Sequence, residues 1–82
     1  MNIDYSALRS VMARDLAAAL RADGLIVTRE KGSHRSYALA DGRRVTFTFH
    51  HASDTFPLPT LKSIVERQAL WSELDLTRLG LR

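Results

Sequence analysis

The 82-residue chain contains no cysteine, and this absence excludes disulfide bonds and thiolate metal sites. It suits a reducing compartment such as the cytosol. No apolar run approaches the length of a membrane span, and the N-terminus lacks the apolar core of a secretory signal. The length suffices for one small domain. We therefore expect a single-domain, soluble, cytoplasmic protein that does not bind membranes.

An excess of positive charge is found in only one stretch of the chain. Residues 29–44 contain five basic and two acidic residues, whereas the rest of the chain contains seven of each. A concentrated basic patch favours a polyanionic partner such as nucleic acid. A solvated hairpin with arginines at its turns explains the same composition equally well, so the charge alone does not decide between them.

The N-terminal part of the chain predicts an amphipathic helix. Apolar residues recur every four positions from Leu8 to Leu20 and form one stripe at helical spacing. Asp4 or Ser6 can cap the beginning of this helix, and Gly24 can provide its left-handed end.

Three short strands are predicted next, at residues 25–29, 33–40 and 44–50. The third strand alternates between apolar and polar residues, which is typical of a strand with one buried face. The other two are β-branched or apolar runs bounded by turn residues. Together they predict a small antiparallel sheet.

The turn between the second and third strands sets their register. We expect residues 41–43 to form a three-residue loop, because this register pairs Leu39 with Val45 and keeps apolar residues opposite each other. The same register places His34 opposite His50 on the polar face of the sheet.

Two further helices are predicted at the C-terminal end. Apolar residues at helical spacing from Leu61 to Ala69 define the first, and Pro59 falls in its first turn. Ser72 and Asp75 match the capping-box pattern at the beginning of a short helix over residues 73–79. The apolar anchors that we expect in this tail are Trp71, Leu74, Leu76 and Leu79.

The predicted order is therefore α-β-β-β-α with a short C-terminal helix, in the α+β class. Two amphipathic helices cover the apolar face of a three-stranded sheet. The polar face, with His34, stays open to water. This topology is that of the double-stranded-RNA-binding domain. We expect residues 1–70 to form that unit and residues 71–82 to pack on it as a helical extension.

Three segments carry a resemblance to a known family. They are Gly-Ser-His at residues 32–34, "DGRRVTF" at 41–47 before a strand that ends in histidine, and "PTLKSIVERQ" at 59–68. In this order and spacing they resemble the HicA toxins, small ribonucleases of bacterial and archaeal toxin–antitoxin modules that are also called messenger-RNA interferases. The resemblance extends from about Leu8 to Gln68, and the tail is similar to an extension seen in part of the family.

One position departs from the pattern of that family. Its members often have a proline shortly before the histidine that ends the third strand, whereas this chain has Phe47, Thr48 and Phe49 there. We expect the difference to affect the surroundings of His50 and to leave His34 untouched.

The resemblance implies an activity, a partner and a catalytic residue. His34, the histidine of Gly-Ser-His, would be the active residue of an endoribonuclease that cleaves messenger RNA without a metal. A HicB-type antitoxin would bind the toxin and mask the face that carries His34. No cofactor is expected.

The chemistry of RNA cleavage is compatible with these residues. RNA carries its own nucleophile, the 2′-hydroxyl, so cleavage needs groups that move protons and positive charge near the phosphate. An unperturbed histidine titrates near pH 6.5, and arginine binds phosphate oxygens through a fork of donors. We take His34 as the candidate catalytic residue and His50 as the candidate second proton carrier. The candidate RNA-binding residues are Lys31, Gly32, Ser33, Arg35, Arg43 and Arg44.

Other interpretations of the same residues remain open. Without the resemblance, His34 is more typical of a solvated histidine beside a turn. A zinc site needs three or four converging ligands, whereas the adjacent His50 and His51 diverge along a strand, so we expect no metal. The main alternative function is a non-catalytic double-stranded-RNA-binding module of the same fold, and a third is a protein-interaction module.

Overall fold

The computed structural model describes residues 3–82 as a three-stranded antiparallel sheet with helices packed on one of its faces. The strand order in the sheet is β1-β2-β3. This arrangement confirms the predicted α+β class and the α-β-β-β-α order of the double-stranded-RNA-binding fold. The elements are a 3₁₀ turn at Tyr5–Leu8, α1 at Ala13–Ala22, β1 at Ile26–Lys31, β2 at His34–Ala38, β3 at Arg44–Thr48, α2 at Leu58–Lys62, a π-helical segment at Ser63–Gln68 and α3 at Glu73–Arg78.

The N-terminal helix is interrupted, whereas the apolar stripe from Leu8 to Leu20 predicted one continuous helix. Met12 is extended (φ −98°, ψ 165°), and its N–H donates to the carboxylate of Asp15. The N–H groups of Ala13 and Arg14 donate to carbonyls of the linker that follows β3, at 2.8 and 3.0 Å. The helix restarts here because the linker supplies acceptors for N–H groups that have no partner inside α1.

The register between β2 and β3 differs from the predicted one by two residues. His34 lies opposite Thr48, so the predicted pairing of His34 with His50 is wrong. The connecting loop comprises residues 39–43, so the prediction of a loop limited to 41–43 is also wrong.

Hydrogen bonds inside this loop explain its greater length. The N–H of Leu39 donates to the carbonyl of Arg43, and the N–H of Gly42 donates to the carbonyl of Leu39, both at 3.0 Å. Gly42 has φ +99°, which glycine adopts without strain. Val45 consequently pairs with Tyr37 and not with Leu39. Because the shift is two residues, each strand keeps the same side chains on the same face.

The inner face of the sheet forms the core with the helices. Tyr37, Val45 and Phe47 are buried there, which confirms the predicted apolar face. The Phe47 ring stacks on Tyr37 with 5.9 Å between ring centroids. It meets Phe49 and Phe56 at 5.7 Å each. These rings hold β3 against the linker and against the beginning of α2.

The π-helical segment that follows α2 is hydrogen-bonded to the free edge of β3. Pro59 lies in the first turn of α2, as predicted, and the helix continues as a π-helix to Gln68. The side-chain oxygen of Gln68 accepts the N–H of Thr46 at 2.8 Å. Leu70, with φ +58°, then ends the helix. Within residues 3–82, no helix combines the length and the apolar character that a membrane span requires.

The C-terminal tail contributes to the same core. Trp71, Leu76 and Leu81 are buried together with the residues of the sheet and of α1. Leu74, which we expected to be an anchor, is 77% exposed. That prediction is wrong because residues two positions apart on a helix point in nearly opposite directions, so α3 can bury Leu76 or Leu74 but not both. The division of the chain at residue 70 stays a prediction.

Ser72 and the beginning of α3 follow the predicted pattern. The hydroxyl of Ser72 accepts the N–H of Asp75, and the carboxylate of Asp75 accepts the N–H of Ser72 at 2.9 Å. This reciprocal capping box satisfies two N–H groups at the helix end. Gly80, with φ +78°, follows the last turn.

Candidate active site on the open face of the sheet

A two-residue turn places His34 at the beginning of β2. Lys31 and His34 form the last pair of the β1–β2 hairpin, and Gly32 and Ser33 connect them. Gly32 has φ +57°, and glycine is the residue that adopts this conformation at the first position of a tight hairpin turn. The carbonyl of Ser33 accepts the N–H of Phe49 at 3.0 Å. The Gly-Ser-His segment is therefore anchored to the chain beyond β3.

The ring of His34 is exposed and is held from one side. The hydroxyl of Thr48, in the opposite position on β3, lies 3.2 Å from Nδ1 of His34. A neutral imidazole has one donor and one acceptor nitrogen, and a hydroxyl can bond either. The contact therefore occupies Nδ1, and Nε2 has no hydrogen-bond partner among residues 3–82. The expectation that the sequence around Thr48 would leave His34 untouched is wrong.

Three further basic residues, Arg29 among them, share this open face with His34. Lys31 pairs with His34 across the hairpin, and Arg44 pairs with Ala38 at the other end of β2. His34 and Ala38 lie on the same face because they are four residues apart on one strand. The side chains of all three basic residues are exposed, and among residues 3–82 none of them forms an ion pair.

Arg35, a predicted RNA-binding residue, lies on the side of the sheet that faces the helices. Its guanidinium donates to the carbonyls of Gly32 and His34 at 2.7 and 3.0 Å. It also lies 3.3 Å from the carboxylate of Glu30 and 5.1 Å from the centroid of the Phe49 ring. Arg35 therefore braces the turn that carries His34, and its donors are not directed to the open face.

Arg43, another predicted RNA-binding residue, is committed to the interior. Its side chain is only 17% exposed and donates to the carboxylates of Asp23 and Asp41 at 2.8 and 2.9 Å. It also donates to the carbonyl of Ala69 at 2.8 Å. The structure thus separates Arg43 from its neighbour Arg44, which points to solvent.

Asp23 is the centre of this interior network. Its carboxylate, 10% exposed, accepts hydrogen bonds from Arg43, from the indole N–H of Trp71 and from Arg78 at 2.8, 2.9 and 2.9 Å. Burial raises the pKa of Asp23, but these three donors outweigh burial and hold its pKa at about 2. The sequence alone predicts only a helix end at Asp23, because the three hydrogen-bond partners lie 20, 48 and 55 residues away along the chain.

His50 and His51 lie beyond the end of β3. Their N–H groups both donate to the carboxylate of Asp54, at 2.8 and 3.0 Å. These backbone hydrogen bonds lower the pKa of Asp54. The structure does not bring His50 opposite His34. His50 is one of the residues that line a groove of about 610 Å³ between β3 and α2. Among residues 3–82, no three histidine or carboxylate side chains lie close enough together to hold a metal ion.

A family model described as "HicA toxin of bacterial toxin-antitoxin" matches residues 13–71. The chain belongs to the HicA toxin family. A search of curated proteins found no match. Membership of the family makes this chain a toxin of a toxin–antitoxin module, which implies an antitoxin partner.

The part of the HicA chain that matches the family model contains the whole sheet. It includes the Gly-Ser-His turn, Thr48 and both ends of the polar face, whereas α3 lies outside it. Sequence reasoning did not select Thr48 or Arg29 as site residues. The signal for Thr48 was the departure from the family pattern, and Arg29 could not be placed without the pairing of β1.

Proposed function

We propose that this HicA-family toxin is an endoribonuclease that cleaves messenger RNA by metal-independent acid–base catalysis through His34. The observation that supports it best is the position of His34. Its ring is exposed on an open polar face and Nδ1 is hydrogen-bonded to Thr48. Lys31, which makes no ion pair within the described part of the chain, lies opposite His34 on β1. This combination offers RNA one free imidazole nitrogen beside a positive charge.

The reaction needs only a few proton transfers. Nε2 of His34 takes the proton of the RNA 2′-hydroxyl, and O2′ then attacks the neighbouring phosphorus. The bond from phosphorus to O5′ breaks, and O5′ takes a proton from a second acid. Solvent can supply that proton; His50, the other candidate, does not lie opposite His34 in the sheet. The products are a 2′,3′-cyclic phosphate and a 5′-hydroxyl. A well-placed general base contributes roughly 10² to 10⁴-fold to such a rate.

Positive charge and backbone donors stabilise the phosphate in this proposal. Lys31 lies beside His34 and, like Arg29 and Arg44 farther along the open face, makes no ion pair among residues 3–82. Gly32 and Ser33 form the turn beside His34, and no atom lies within 4 Å of the position that a Cβ of Gly32 would take. A phosphate can therefore approach the backbone of the turn closely.

Arg35 and Arg43 are not included among the proposed RNA contacts. Arg35 braces the turn from the other side of the sheet, and Arg43 belongs to the interior network around Asp23. Both residues act on the site indirectly, through the conformation of the two loops that they hold.

The proposed inhibitor is a HicB-type antitoxin that covers the face with His34. That face presents polar and basic groups and has no helix packed on it, so a partner with an acidic surface is the best complement. Occlusion of His34 would block access of RNA without any change in the toxin fold.

The products and a modified substrate test the reaction. An RNA with a single 2′-deoxy nucleotide at the cleavage position should resist the protein, because the nucleophile is missing. Cleavage of the unmodified RNA should leave a 2′,3′-cyclic phosphate that mass spectrometry detects. Cleavage of the deoxy substrate at the same bond would refute the mechanism. Binding without any cleavage would favour the non-catalytic RNA-binding module.

A further inference from the structure

A groove on the open face of the sheet leads away from His34 along β2. Its floor is formed by the small side chains of Ser36 and Ala38, which follow His34 at two-residue intervals on the same face. Arg29 lies opposite Ser36 on β1, and Arg44 lies opposite Ala38 on β3. These two arginines stand on opposite sides of a groove of about 410 Å³.

A β-bulge brings Arg29 to this face. Val27 pairs with Tyr37 and Arg29 pairs with Ser36, so Thr28 is an extra residue in β1. Without it, regular pairing would place Arg29 opposite Arg35, on the face that the helices cover. Bulges reset the alternation of a strand and are common beside active sites. The same reset puts Lys31 opposite His34 on the open face.

The charge of the groove is not neutralised by the protein. Neither Arg29 nor Arg44 forms an ion pair among residues 3–82, and no carboxylate lines the groove. The nearest acidic residue on β1, Glu30, pairs with Arg35 on the other face. The two guanidinium groups therefore keep their donors for an anion.

We infer that the groove between Arg29 and Arg44 is a subsite for the phosphodiester backbone of single-stranded RNA, next to the cleavage position at His34. This inference rests on the proposed function and adds to it where the neighbouring nucleotides bind. Guanidinium groups bind phosphate oxygens through paired donors.

The dimensions of the sheet suit one RNA strand. The outer strands of a three-stranded sheet lie about 10 Å apart, and Ser36 and Ala38 lie roughly 7 and 13 Å from His34 along β2. A phosphate in the groove and a phosphate at His34 therefore belong to neighbouring nucleotides of the same strand. RNA is the occupant because the groove is continuous with the His34 face.

A binding experiment on a non-cleaving variant tests the subsite. In the His34→Ala background, binding of a labelled single-stranded RNA is measured against salt for Arg29→Gln, Arg44→Gln and the double variant. Each substitution should weaken binding about tenfold and should flatten the slope of log K against log salt by about 0.7. In the parent background, the same substitutions should raise KM.

Arg14→Gln is the matched control. It removes the same charge from an exposed position on α1, which packs on the opposite face of the sheet, so it should leave the salt slope unchanged. Equal slopes for the parent, the double variant and the control would overturn the subsite. So would a double variant that loses antitoxin binding and keeps RNA binding. The binding assay needs no cleavage, so RNA binding through the arginines without cleavage would refute the proposed function and leave the subsite intact.

Discussion

The hydroxyl of Thr48 lies 3.2 Å from Nδ1 of His34, across the first pair of residues that joins β2 to β3. This relationship determines which nitrogen of the exposed imidazole is free. In this protein, Thr48 acts as a positioning residue for His34.

Thr48→Val should lower kcat about fivefold and leave KM unchanged, since valine keeps the shape of threonine but cannot hydrogen-bond Nδ1. Thr48→Ser should restore most of the rate because it restores the hydroxyl. Nitrogen-15 NMR of the His34 ring provides a reading that does not depend on RNA. The balance between the two neutral tautomers should change in Thr48→Val and return in Thr48→Ser.

Thr46→Val is the control for the NMR reading. It removes the neighbouring hydroxyl of β3, which lies 3.2 Å from that of Ser36, whereas the hydrogen bond to His34 comes from Thr48. The His34 tautomers should match those of the parent. An unchanged tautomer balance in Thr48→Val would show that Thr48 does not set the ring.

Substitution of Arg43 should destabilise the protein, whereas substitution of its neighbour Arg44 should not. Arg43→Gln should destabilise the protein by about 2 kcal/mol, because it deprives the nearly buried carboxylate of Asp23 of a charged partner. Arg44→Gln should change the unfolding free energy by less than about 0.5 kcal/mol, because its side chain is exposed and makes no ion pair with any residue from 3 to 82. Urea unfolding measures both variants. Equal destabilisation by the two substitutions would contradict the assignment of Arg43 to the interior.

The Asp23 network predicts how stability depends on pH. The pKa of Asp23 is about 2 in the folded protein and near 3.8 in the unfolded chain. A lowered folded-state pKa means that the stabilisation is complete above about pH 4 and is lost as the pH falls towards 2. The contribution is roughly 2 kcal/mol at neutral pH.

Asp23→Asn isolates this contribution. The difference in unfolding free energy between the parent and the variant should be largest at pH 5 to 7 and should shrink between pH 4 and 2. Urea unfolding across this pH range is the measurement. A difference that stays constant with pH would mean that ionisation of Asp23 does not stabilise the fold.

The alternation of apolar and polar residues was enough to predict the two faces of the sheet. The face that contains Val45 and Phe47 was identified correctly even though the register was wrong by two residues, because strand alternation has a period of two. Alternation alone could not reveal the longer loop at 39–43, since that loop depends on hydrogen bonds between its own backbone groups.

The roles of the individual arginines could not be predicted from the sequence. Arg43 and Arg44 are neighbours with identical chemistry, and only the distant partners of Arg43 separate a structural residue from an exposed one. Arg29 was counted in the basic patch but could not be assigned a face, because the bulge at Thr28 leaves no clear pattern in the sequence.

If His34 catalyses RNA cleavage without a metal, the protein should cleave a mixed-sequence RNA in the presence of EDTA, and this cleavage is the first measurement to make. His51→Ala is the matched control, since His51 is also exposed and uses only its backbone N–H in the contact with Asp54. The parent and His51→Ala should cleave equally, and His34→Ala should be slower by at least about 10²-fold with the same circular dichroism spectrum. Cleavage by His34→Ala at the parent rate, or RNA binding without cleavage by all three proteins, would show that His34 is not a catalytic residue for RNA cleavage.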